Sequence, residues 1–270
     1  MKIINKLFTL PALLLCICIN AEPFDSTYIA EPSATSLLKN ANIYDGEGNE
    51  FFGYDVLIVN GKIEAIGLNL LSKANNTVEY DLSGMWVTPG IIDLHSHMGV
   101  YSAPGVKTSS DGNESTSPVT ADVWAEHSVW TQDPQFSLAL QGGVTTFHVL
   151  PGSANLIGGR GTTFKNVQSN TIQGMKFPDA PHSLKMACGE NPKRVYGSRK
   201  QAPSTRMGNI AGYRKAWIKA SKYRENMNTY ESKSAEAKEI VSPPTRDLEM
   251  DTLAGVLNGE ILVQNHCYRA

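Results

Sequence analysis

The chain has 270 residues, 41% of them hydrophobic and 19% charged, which is the make-up of a folded protein with enough apolar material for a sizeable core. Its 24 basic and 26 acidic side chains nearly cancel, so neither disorder of the whole chain nor an electrostatic footprint for nucleic acid or an anionic membrane is expected.

The chain opens on Met1-Lys2-Ile3-Ile4-Asn5-Lys6, an apolar run from Leu7 to Ile19, and Asn20-Ala21-Glu22. A charged start, a short apolar stretch and a small-residue site predict a secretory signal peptide over residues 1–21, cleaved near Ala21. The run is too short for the roughly 20 residues that span a bilayer, so export to a periplasmic or extracellular space is expected, with no stable membrane anchor. Cys188 and Cys267 then remain. They could pair in an oxidising compartment, but two cysteines so far apart in sequence announce no disulfide framework, and two buried free thiols are the expectation over a Cys188–Cys267 bridge.

Residues 22–35 are polar, contain Pro23 and Pro32, and read as an extended leader. Over 36–84 the texture is short and partly alternating: 37–44, 54–60, 62–66 and 77–82 read as strands. They are separated by Asp45-Gly46-Glu47-Gly48 and by Asn60-Gly61, the latter a strong hairpin signal. The next run, Met85 to His95, is almost continuously apolar around Pro89-Gly90 and predicts a strand buried on both faces. Beyond it strands are expected at 144–150, 183–188 and 261–265, with helices at 133–141, 208–238 and 246–258. Strands alternating with helices imply parallel βαβ units. The helix at 208–238 mixes aromatic, basic and acidic residues and reads as a solvated outer helix. No internal repeat is visible.

Chemistry concentrates at strand ends. Asp93-Leu94-His95-Ser96-His97 closes the apolar run, and side chains two apart on a strand share a face, so His95 and His97 can present two imidazoles to one ion. His266 follows Ile261-Leu262-Val263, and Glu190 follows the strand at 183–188. Gly158-Gly159-Arg160-Gly161 lacks the endings of a P-loop or a dinucleotide fingerprint and reads as a loop. Arg160 there is a candidate for orienting a substrate carboxylate. His148 lies inside a strand and reads as a hydrogen-bonded core histidine; His127 and His182 lack supporting neighbours. With no Gly-x-Ser-x-Gly elbow, serine-hydrolase chemistry is not expected.

Pro89-Gly90-Ile91-Ile92-Asp93 feeding His95-Ser96-His97, together with Gln141-Gly142-Gly143-Val144-Thr145-Thr146 and the earlier Asn60-Gly61-Lys62-Ile63, resembles the amidohydrolase superfamily over roughly 36–270. Pro151 to Gly161 and Gly189-Glu190-Asn191-Pro192-Lys193-Arg194 look like a secreted bacterial branch related to imidazolonepropionase-like and peptide-cleaving members. The resemblance implies an α/β fold: part of a β-sandwich over 36–84, then a (β/α)₈ barrel over 85–270 with about five of its strands. It implies a divalent metal, zinc by preference, held by His95, His97, Glu190 and His266. Metal-activated water would hydrolyse a carbon–nitrogen bond of a small-molecule or peptide amide. Some members use a carboxylated lysine in place of the glutamate.

A whole barrel takes about 250 residues, and the family's proton-transfer aspartate follows its eighth strand. That position is expected beyond Ala270, so the chain reads as a truncated hydrolase. The alternative is a noncatalytic remnant that at most binds metal. A barrel left open at two strand edges is expected to associate.

Overall fold

The computed structural model describes residues 23–72 and 76–269; the predicted signal peptide lies outside the described residues. Two sheets follow one another along the chain.

The first sheet holds β1 (Ser36–Tyr44), β2 (Glu50–Val59), β3 (Lys62–Gly67), β4 (Val78–Asp81) and β5 (Trp86–Val87). Its order is β3-β2-β1-β4, with β5 also pairing β1. The hairpin between β2 and β3 turns on Asn60 and Gly61, whose φ angles of 51° and 73° are the left-handed pair that Asn-Gly supplies at low cost. Its core is small, built from Ala41, Ile43 and Val56.

The second sheet holds β6 (Ile91–Ser96), β7 (Val144–Val149), β8 (Ile157–Lys165), β9 (Ser183–Gly189) and β10 (Leu262–Tyr268), in the order β10-β9-β8-β7-β6. Among the described residues the α-helices that accompany it are α1 (Gln135–Gln141), α2 (Ile172–Met175), α3 (Glu190–Gly197), α4 (Arg206–Glu231), α5 (Ala235–Ile240) and α6 (Leu248–Asn258). Strands β6, β7, β9 and β10 run one way, and β8 runs against β7 and β9. Two apolar clusters cover the sheet. Phe147, Val149 and Phe164 pack with Val100, Val129 and Phe136. Leu156, Ile157, Leu184 and Met186 pack under Ala216 and Ala220 of α4 and Met250 and Leu253 of α6.

Several expectations change. The apolar run after Met85 is two strands in two sheets, broken at Thr88-Pro89-Gly90, because proline cannot donate to a ladder. Strand β6 lies at a sheet edge with Ile91, Ile92 and Leu94 exposed, so it is not buried on both faces. The glycine-rich stretch around Arg160 is strand β8, not a loop; glycines there let the backbone run close to its neighbours, as at Gly159, where a Cβ would collide with the Val123 carbonyl oxygen. The long helix stops at Glu231, and α5 restarts behind the Ser234 cap. Its face is not simply solvated: Tyr213 donates to the Ala187 carbonyl and Tyr223 to Asp251, which ties α4 to β9 and α6.

Cys188 and Cys267 are bonded to each other rather than free. They sit opposite one another on the parallel neighbours β9 and β10, with Cα atoms 4.5 Å apart, a proximity set by register that sequence separation hides. The predicted leader makes no regular element but is pinned. Lys176 donates from Nζ to the Phe24 carbonyl at 2.7 Å, and Ser26 donates back to the Lys176 carbonyl at 2.6 Å.

Candidate active site

The like-oriented ends of β6, β7, β9 and β10 converge, and the site is built from side chains at or just beyond those ends. Sheet order places β6 and β10 at opposite rims, yet the rings of His95 and His266 lie 5.5 Å apart. The sheet is therefore curled, with one concave face. Alternation decides who lines it: on β9, Leu184 and Met186 enter the helix-side core, so Ser183 and Lys185 point the other way.

His95 and His97 present rings 5.2 Å apart, edge to face. The Asp93 carboxylate accepts from the His95 amide at 3.0 Å and fixes the strand end. His97 donates from Nδ1 to the Leu150 carbonyl at 2.9 Å, which leaves its Nε2 for the site. Tyr101 packs edge-on against the His97 ring at 5.6 Å. His266 makes its Nδ1 contact with the Ser153 hydroxyl at 2.5 Å.

Lys185 is a site group that reasoning from the sequence missed. It is fully buried, with Nζ 3.0 Å from His95 Nε2 and 3.0 Å from the Pro151 carbonyl. Burial pushes its ammonium down to about 8. Burial, and then the Lys185 charge, push His95 down to about 4; burial likewise lowers His97. A lysine at an inward position of an otherwise apolar strand was the available signal, since lysine is rarely buried without a task.

Three of the four proposed ligands thus come together. The fourth, Glu190, opens α3 beyond β9 and is paired with Arg269 at 3.2 Å. Arg160 is not in this site: its Nε donates to Thr252 of α6 at 2.9 Å and its guanidinium lies over Trp124 at 4.4 Å, on the helix side of the sheet. Cys267 is taken up by its disulfide. His148 is a core histidine, bonded to Thr163 at 2.9 Å and Ser183 at 2.6 Å. Exposed His127 and buried His182 lie apart from this site, against Trp124 and beside the Glu126–Lys176 ion pair of 2.8 Å.

Among the described residues no three His, Cys, Asp or Glu side chains are drawn closely enough to enclose an ion as they stand. The donor chemistry nevertheless fits a divalent metal. Neutral imidazoles suit zinc, each of two rings is held at Nδ1 so that Nε2 is left, and the lone pair of His95 already faces a cationic ammonium.

A curled mixed sheet with imidazoles gathered at its strand ends defines an α/β protein with its candidate site at one end of the sheet, and comparison with known proteins narrows it. A crystal structure of an amidohydrolase from Thermotoga maritima superposes with a TM-score of 0.77 at 38% identity, over 87% of this chain and 58% of that one. The amidohydrolase TasK of Hapsidospora irregularis is 31% identical over 89% of this chain and 27% of its own length. A dihydroorotase of Lactobacillus leichmannii is 43% identical over 84 residues, 30% of this chain and 18% of that protein. No family model matches. The chain belongs to the amidohydrolase superfamily, matching its N-terminal part. It spans about a quarter of the length of TasK and 58% of the Thermotoga chain.

Proposed function

We propose that this protein serves the metal-dependent hydrolysis of a carbon–nitrogen bond in a small amide, peptide or cyclic amide. The observation that carries the reading is the convergence of His95, His97 and His266 around the buried Lys185 at one end of the curled sheet. We read the sheet as an arc of a (β/α)₈ barrel, in which chemistry gathers at the C-terminal ends of the strands.

His95, His97 and His266 would hold the ion, most fittingly zinc. When bound, it would lower the pKa of water and polarise the scissile carbonyl. The chain's own part is to keep His95 and His97 neutral and to aim all three imidazoles. Burial disfavours protonation of His95 and His97, so their lone pairs stay open near neutral pH. Lys185 Nζ, lowered to about 8, can release its ammonium proton near neutrality when a second cation enters beside it. Glu190 stays with Arg269 at the rim, where the pair can meet the polar part of a substrate.

A second reading, metal binding without turnover, shares every step up to the ion. It is favoured by Glu190, whose carboxylate is engaged by Arg269 at 3.2 Å rather than left to carry a proton from water. Zinc titration by calorimetry, with His95→Ala and His97→Ala as controls, should show one site lost in both variants. Hydrolysis of a panel of dipeptides, acyl-amino acids and cyclic amides by the zinc-loaded protein then separates the readings. Failure to bind zinc at all would sink both.

We further propose export, with the mature chain beginning near Glu22. The charged start, the apolar run and the Ala21 site support it, and the Cys188–Cys267 bond suits an oxidising compartment. Among the described residues no helix is long and apolar enough to cross a membrane. N-terminal sequencing of the exported protein tests this, and an intact Met1 on cytosolic protein would refute it.

A further inference from the structure

One short loop touches three of the site's side chains, each from a different strand. The Leu150 carbonyl accepts from His97, beyond β6, at 2.9 Å; the Pro151 carbonyl accepts from Lys185 of β9 at 3.0 Å; and the Ser153 hydroxyl meets Nδ1 of His266 of β10 at 2.5 Å. We propose that Leu150–Ser153 is the orienting platform of the site and that Ser153 is a positioning residue, accepting from His266 Nδ1 and so turning His266 Nε2 toward the other imidazoles. The inference rests on the metal-site reading for its purpose, though not for its geometry.

The platform is built to be stiff. The Leu150 amide donates to the Ser96 carbonyl at 3.3 Å and the Gly152 amide to the Gly112 carbonyl at 2.7 Å. The Ala154 amide donates to the Asn113 side chain at 3.0 Å. The buried Asn155 amide is spent on the Glu114 and Ser117 carbonyls and on Thr120, at 2.6, 2.8 and 3.0 Å. Gly152 admits no side chain, since a Cβ there would collide with the Asn113 amide nitrogen. The loop is therefore fixed by the segment beneath it rather than by the histidines it serves.

His266 is the group that most needs such help. It lies on β10, a rim strand paired on one side by β9 alone. A carbonyl can only accept, so His97 is forced to carry its proton on Nδ1. A hydroxyl can donate or accept, and for His266 the proton position follows from how Ser153 is used. A neutral imidazole left to water favours the proton on Nε2, which would point a donor into the site. Ser153 acting as acceptor reverses that preference, as partners of metal-bound histidines commonly do.

The test uses the mature full chain labelled with ¹⁵N at histidine, free of metal, near pH 7.5. Long-range ¹H–¹⁵N spectra should show His266 protonated at Nδ1. Ser153→Ala should move the majority of His266 to the Nε2-protonated form while leaving His97 unchanged, and Ser153→Thr should restore the parent pattern. Gly152→Ala should disturb His97 and His266 together. Zinc affinity should fall by roughly 10- to 100-fold in Ser153→Ala and recover in Ser153→Thr. His266 protonated at Nε2 in the parent protein, or a tautomer indifferent to Ser153→Ala, would overturn the proposal. A tautomer that moves as expected in a protein that binds no zinc supports the positioning role and overturns the metal-site reading instead.

Discussion

The middle of the second sheet and its two rims are built on opposite principles. Strands β8 and β9 are buried almost throughout, sandwiched between apolar clusters and helices. Strands β6 and β10 are largely exposed, with Leu94 at 68% and Leu262 at 57% accessible. Yet the rims carry His95 and His266, while the middle contributes the buried Lys185 beside His95. Stability is concentrated where the chain is inaccessible, and the reactive imidazoles stand where solvent and a ligand can enter. The difference teaches that curvature, rather than burial along the strand, makes the site.

The sharpest way to break the contrast is to cut into the middle. Leu184→Ala removes a fully buried side chain from β9 and should cost about 2–5 kcal/mol, whereas Val263→Ala on the rim should cost under about 1 kcal/mol. Urea unfolding of the two variants compares them directly. Equal losses would mean that the rim is buried in solution.

Acid should act on the same division. Burial, followed by the neighbouring charges of Lys176 and Arg160, pushes His182 down to about 3; burial, followed by His95 and Lys185, pushes His148 down to about 4. Both folded values lie below the unfolded value of about 6.5, so the stability they confer is complete above that pH. It is lost as pH falls from about 6.5 toward 4 for His148 and toward 3 for His182, at roughly 1.4 kcal/mol per pH unit for each. Denaturation midpoints measured from pH 7 to 5 should fall steadily. A flat profile would remove these two histidines from the account.

The rims should be adhesive. Among the described residues no further strand pairs with β6 or β10, and Ile91, Ile92 and Leu94 on β6 and Leu262 and Val263 on β10 make these edges apolar. Leu94→Lys combined with Val263→Lys should shift the protein toward the monomer in light scattering at fixed concentration, and should leave the unfolding midpoint within about 1 kcal/mol. An unchanged size distribution would show that association, if present, runs through another surface.

The smallest effect reports on the junction between the two regions. Lys185→Met removes the ammonium beside His95, so the His95 pKa should rise from about 4. It should stay below the ordinary 6.5, because burial is the larger cause of its depression. A histidine titration followed by NMR measures this. A fall instead of a rise would mean that Lys185 is neutral at the start.

Much of this could be read in the chain before any fold was known. Asn60-Gly61 specified its hairpin because few other dipeptides accept two left-handed residues, and His95-Ser96-His97 at the end of an apolar run specified two of the three clustered imidazoles. His148 was legible as a core histidine, and it is satisfied by Thr163 and Ser183. Strand-end logic put Glu190 just beyond β9, where it is found, whereas Arg160, read as a loop residue, lies on β8. That logic fixes which end of a sheet a residue occupies but not which neighbour will claim its charge, and here Arg269, Thr252 and Trp124 do so.

The sequence by itself determined the alternation of strands and helices, the hairpin turns, the His95–His97 pair and the superfamily resemblance, because all of these are local patterns of period, turn chemistry and spacing. Tertiary structure alone decided the reversed strand β8, the Cys188–Cys267 bond, the inward turn of Lys185 and the meeting of His266 with Ser153. The last three depend on register between segments far apart in the chain, from 79 residues for Cys188 and Cys267 to 113 for Ser153 and His266. Register is set by the packing of whole faces, which no local pattern contains.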